Sequence, residues 1–121
     1  MNDALTILDL PPAPPHLAND PVLRKAKDGL RKIYGARLAG VVLYGSRARG
    51  EARPDSDYDL LALIEGYDPS KGWDPALHEL MLELFQMEPH EIEVNILPRS
   101  ANALEQRTIF MHNVREEGFR L

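Results

Sequence analysis

With 121 residues, 44% of them hydrophobic and 27% charged, the chain has the length for one domain with a modest core and the composition of a soluble globular protein. Its net charge of −5 argues against a nucleic-acid binder, because affinity for phosphate backbones comes from lysine and arginine; nucleotide chemistry stays open, since metal ions can supply positive charge. The lack of cysteine excludes disulfides and thiolate metal sites, and with no signal segment or membrane-length apolar run the expected location is the cytoplasm.

Residues 1–18 include Leu10-Pro11-Pro12-Ala13-Pro14-Pro15, which can neither continue a helix nor sit in a central strand. An N-terminal arm lying over the surface of the domain proper, residues 19–121, is expected. Asn19-Asp20-Pro21 reads as a helix start and Gly35 as its stop. Between them Val22, Leu23, Ala26, Leu30, Ile33 and Tyr34 recur at helical spacing and leave a largely basic face, Arg24 to Lys32, in water. Leu38–Tyr44 is the first strand. The Gly45-Ser46 turn, a short helical segment over 47–51 and a Pro54-Asp55 turn lead into a second strand over 57–65. After a loop over 66–72, Asp74-Pro75 opens a helix reaching about Met87, with Leu77, Leu80, Met81, Leu84 and Phe85 facing the core and Trp73 packed as a core or staple residue. Residues 91–97 alternate polar and apolar, which predicts a third strand with one buried face and one open face carrying Glu91, Glu93 and Asn95. Pro98 ends that strand, Ser100 caps a final helix and Gly118 closes it. The order implies an α/β fold with one small sheet, whose strand directions spacing alone does not settle.

The chemistry concentrates between Tyr44 and Leu60. Gly45-Ser46, directly after an apolar run, lets backbone N–H groups and a hydroxyl approach an anion closely. Asp57 and Asp59 are two apart at the head of a strand, so both point the same way. Adjacent carboxylates repel unless a cation sits between them, and Mg2+ suits such a pair because substrate phosphates can complete its shell. A calcium loop starting at Asp55 fails, since Leu60 and Gly66 stand where Gly and Glu are needed. His16, His78, His90 and His112 have no metal-ligand spacing, and the dinucleotide and Walker glycine patterns are absent.

Gly45-Ser46, ten residues, then Asp57-Tyr58-Asp59-Leu60, with Arg47-Ala48-Arg49-Gly50 between, resembles the signature of the DNA-polymerase-beta-like nucleotidyltransferase superfamily. With the C-terminal run Arg-Glu-Glu-Gly-Phe-Arg-Leu, the chain is similar to the minimal nucleotidyltransferases (MNT), the antitoxin partners of HEPN-domain toxins, from about Leu30 to Leu121. The resemblance implies an α/β fold with a small mixed sheet flanked by helices and the site on its open face. It implies transfer of AMP from ATP to a tyrosine hydroxyl of a HEPN toxin, in a hetero-oligomer with that toxin and without direct nucleic-acid or membrane binding. Asp57 and Asp59 would hold Mg2+, while Gly45, Ser46, Arg47 and Arg49 would grip the β and γ phosphates. The family pattern places a third carboxylate at Glu93, a glutamate where relatives carry aspartate, to complete the metal site and help deprotonate the acceptor. Glu91 competes for that role. Two other functions stay open: an antitoxin that neutralises its partner by binding alone, and a small-molecule nucleotidyltransferase, a kind that carries a further helical domain for its acceptor.

Overall fold

The computed structural model describes residues 7–87 and 91–121; the first six residues of the arm and His90 lie outside the described residues. Helix α1 (Pro15–Ala18) is a single turn, and α2 (Pro21–Tyr34) follows it. Asp20 starts α2, its Oδ1 accepting from the N–H groups of Val22 at 2.8 Å and Leu23 at 3.3 Å, with proline in the first turn. Gly35 stops it at φ +55°, a conformation open to glycine without strain. The chain then runs through β1 (Leu38–Tyr44), α3 (Ser46–Arg49), β2 (Tyr58–Ile64), α4 (Pro75–Phe85), β3 (Val94–Ser100), α5 (Ile109–Glu117) and β4 (Phe119–Arg120).

The four strands form one mixed sheet in the order β3-β2-β1-β4. β1 pairs antiparallel with β2 and with β4, while β2 and β3 are parallel. The apolar run of β2 is buried on both sides because the sheet is sandwiched. Leu60, Ala62 and Ile64 pack with Leu23, Leu30, Leu77 and Leu84 of α2 and α4. Leu61 and Leu63 pack on the other face with Leu10, Ala103, Leu104, Met111 and Val114. Each such leucine contributes about 1.5–3 kcal/mol through burial. No helix among the described residues is long and apolar enough to cross a membrane.

The third strand lies three residues later than its alternation suggests, over 94–100 instead of 91–97. Pro98 sits inside it, opposite Ala62. The sheet order explains this: β3 is an edge strand, and a proline is tolerated there because its missing N–H need serve no neighbour. Ser100 therefore belongs to β3, where its hydroxyl donates to Asn102 Oδ1 at 2.7 Å. The final helix is capped instead by Thr108, whose hydroxyl accepts from Met111 N–H at 3.1 Å. Gly118 closes α5, after which the chain continues as β4, a strand too short to leave a periodic signal. A Cβ on Gly118 would lie 2.8 Å from Val42 Cγ1, so glycine lets the α5–β4 corner press onto β1. The Pro-rich segment runs beside β4: Ala13 N–H donates to Arg120 O, and Arg120 N–H donates to Pro11 O, each at 2.9 Å. Trp73 is neither core nor staple; it is 71% exposed and lies against the His78 ring.

Candidate active site

The Gly45 turn and the two aspartates come from adjacent antiparallel strands. β1 ends at Tyr44, directly opposite Asp59 near the head of β2. Gly45 then turns the chain into α3 at φ +81°, ψ −160°, a region essentially reserved for glycine. A Cβ there would land on Asp59 Oδ2. The turn and the second carboxylate are therefore packed surface to surface, and glycine is required by both backbone and space. Asp57 is exposed and accepts no hydrogen bond among the described residues.

The 53–58 segment is held in place from three sides. Arg47 donates from Nε at 3.0 Å and Nη2 at 2.6 Å to Ser56 O, and from Nη2 at 3.2 Å to Pro54 O. Its guanidinium also lies 3.9 Å from the centroid of the Tyr58 ring. Ser56 Oγ accepts from Arg53 N–H at 2.8 Å. The Tyr58 hydroxyl donates to Asp20 Oδ2 at 2.8 Å, tying the head of β2 to the cap of α2. Burial first, then Asp20, push the Tyr58 phenol up to about 12. Arg47 is thus occupied by main-chain carbonyls and an aromatic face. It braces the aspartate-bearing segment where a phosphate contact was expected.

Arg49 reaches the other way, to Glu51 Oε1 at 2.8 Å and to Glu117 at 3.2 and 3.3 Å. Glu117, the last residue of α5, also accepts the Gly45 N–H. The Ser46 hydroxyl makes no hydrogen bond among the described residues. Tyr44 stacks edge-on against Phe110, with ring centroids 5.3 Å apart. Its phenol is pushed up to about 12, chiefly by burial and next by the charge of Asp59.

The parallel register places Asn95 level with Asp59, and the Asn95 amide donates to Asp59 Oδ1 at 3.4 Å. Glu93 is exposed, one residue ahead of β3, and its carbonyl accepts the Tyr58 N–H at 3.0 Å, which sets it level with Asp57. Glu91, also exposed, precedes the strand. Among the described residues no three Asp, Glu, His or Cys side chains form a metal-holding group. The aspartate pair still suits Mg2+, which is usually held by one or two carboxylates while substrate phosphates supply further oxygens. Sequence reasoning missed Asn95 as the neighbour of Asp59 and Glu117 as the partner of Gly45. Asn95 stood on the expected open face, but only the parallel register singles it out.

The family model for the nucleotidyltransferase domain matches residues 23–114, most of the chain and all of the Gly45–Asp59 constellation. The chain belongs to the nucleotidyltransferase domain family. Its mixed four-stranded sheet flanked by helices is the polymerase-beta-like fold. One chain of a toxin–antitoxin crystal structure with AMP-PNP superposes with a TM-score of 0.53 at 20% identity, over 78% of this chain and 68% of that one. A candidate nucleotidyltransferase from Sulfolobus solfataricus gives a TM-score of 0.42 at 17% identity, over 82% of this chain and 78% of that one. No curated protein matches the chain. Within the family the nucleotidyltransferase places its glycine turn against Asp59, as described above, and keeps Asp57 open to solvent.

Proposed function

We propose that this nucleotidyltransferase transfers AMP from ATP to a tyrosine hydroxyl of a HEPN-domain toxin and thereby acts as its antitoxin. The observation that carries the reading is the contact of Gly45 with Asp59, which joins an anion-receptive turn to a carboxylate pair. The family membership supports nucleotidyl transfer. The structural neighbour from a toxin–antitoxin crystal structure with AMP-PNP supports a toxin as partner and ATP as the nucleotide.

In this mechanism Asp57 and Asp59 hold Mg2+, which, when bound, neutralises phosphate charge and the charge that develops on the leaving group. The Gly45 N–H, the Ser46 hydroxyl and Arg49 bind the β and γ phosphates and orient the α-phosphorus. Arg47 keeps the 54–58 segment, and with it both aspartates, in position. Asn95 fixes the Asp59 carboxylate. Glu93, exposed at the level of Asp57, accepts the proton of the acceptor hydroxyl. The acceptor oxygen attacks the α-phosphorus in line with the departing bridge oxygen, and pyrophosphate leaves with the bonding electrons.

A second reading, neutralisation by binding alone, is favoured by one feature: an amide, Asn95, stands beside Asp59, where its side chain donates to the carboxylate. Intact-mass spectrometry separates the two. Incubated with ATP, Mg2+ and the co-purified partner, the protein should add one or more AMP units to that partner. A partner of unchanged mass, in a stable complex that still blocks its nuclease activity, would establish the binding-only antitoxin.

A further inference from the structure

The α5–β4 corner brings an acidic side chain into the phosphate seat. β4 pairs with β1 through Val42 opposite Arg120 and Leu43 opposite Phe119. This pairing and the close approach at Gly118 carry the residue before them, Glu117, to the end of β1. There its Oε2 accepts the Gly45 N–H, and both its oxygens face Arg49 Nη1 at 3.2 and 3.3 Å. The side chain is largely covered, with 20% of its surface exposed. One carboxylate thus engages two of the three groups assigned above to the triphosphate, the Gly45 N–H and Arg49. An N–H offers one proton, so a phosphate oxygen and the Glu117 carboxylate compete for it.

We propose that Glu117 is an affinity-determining residue of the nucleotide site: its carboxylate is an internal competitor that the triphosphate must displace before it can seat. The inference rests on the assignment of Gly45 and Arg49 to the phosphates. The competition concerns anions only. It lowers affinity for any polyphosphate and leaves the nucleoside portion of the ligand untouched. It also gives the free protein a compensated Arg49 and a settled glycine turn. Affinity is reduced by the fraction of molecules in which the seat is filled, and charge-assisted bonds of this kind correspond to about tenfold or more in that ratio.

Titration calorimetry of Glu117→Gln and Glu117→Ala against ATP, inorganic tripolyphosphate and adenosine, all with Mg2+, tests this. The glutamine keeps the shape and loses the charge; the alanine empties the seat. Both should bind ATP and tripolyphosphate about tenfold tighter than the natural protein, with adenosine binding unchanged. Variants that keep a cooperative melt but bind triphosphate equally or more weakly would overturn the inference and make Glu117 a brace. Arg49→Gln tells the two levels apart. If it leaves ATP binding unchanged, the phosphate seat itself lies elsewhere and both readings fall. If it weakens ATP binding while Glu117→Gln brings no gain, only the competitor role falls.

Discussion

Replacing Gly45 with alanine strikes the joint between the glycine turn and the carboxylate pair. Two penalties add. The backbone at φ +81°, ψ −160° costs a residue with a side chain on the order of 1–3 kcal/mol. The new methyl would also land on Asp59 Oδ2, with Asp59 Cβ and Cγ both at 3.3 Å, and such overpacking costs about 1–3 kcal/mol. If the carboxylate swings aside to relieve the clash, the net loss is on the order of 2–4 kcal/mol, a fall of roughly 10 °C in melting temperature. The displaced carboxylate then lowers transfer on the order of a hundredfold, since a 1 Å misplacement is enough for that. Gly50→Ala is the control. Gly50 has φ +74°, but a Cβ there meets nothing within 4 Å, so only the left-handed backbone cost of about 1–2 kcal/mol applies and transfer should be unchanged. Thermal melts and single-turnover transfer measure both variants. Alanine at 45 behaving like alanine at 50 in both assays would refute the joint.

Arg47→Ala should cost about 1–3 kcal/mol in denaturant unfolding, because it removes the clamp on the Pro54 and Ser56 carbonyls and the stack on Tyr58; unfolding at the natural protein's midpoint would contradict the bracing role. Glu93→Gln should depress transfer about a hundredfold or more while Glu91→Gln matters far less, and the reverse order in single-turnover kinetics would move the proton acceptor by two residues. Tyr44 and Tyr58 are both raised from 10.0 to about 12, so the fold favours their neutral forms. Their contribution to stability is fully present below pH 10 and is lost as pH climbs through 12. A denaturant midpoint that stays flat across that window would count against their burial.

The parts of the fold that were legible in the sequence are those specified locally. The Asp20-Pro21 cap, the glycine stop at 35 and the helical spacing between them mark α2 to the residue. The apolar run from Leu38 gives β1 its observed bounds. What sequence missed depends on neighbours that spacing does not encode. The start of β3 is set by pairing with β2, and the tolerance for Pro98 by an edge position that only the sheet order creates. β4 has two residues and exists because β1 offers it a free side. The site follows the same division. Gly45, Ser46, Asp57 and Asp59 fall within fifteen residues of one another, and the structure brings Gly45 and Asp59 into contact. Arg47 and Arg49 look alike in sequence, yet one turns to the 54–56 carbonyls and the other to Glu117. Glu117 itself lies far along the chain, and only the α5–β4 corner brings it to the turn.

Titration calorimetry of ATP against the natural protein and the Asp57→Asn/Asp59→Asn double variant tests most directly that nucleotide and metal meet at this pair. ATP should bind weakly without Mg2+ and strongly with it, and the double variant should lose the gain that Mg2+ brings while keeping its cooperative melt. Undiminished Mg2+-dependent binding of ATP in that variant would contradict the account and place the nucleotide elsewhere on the protein.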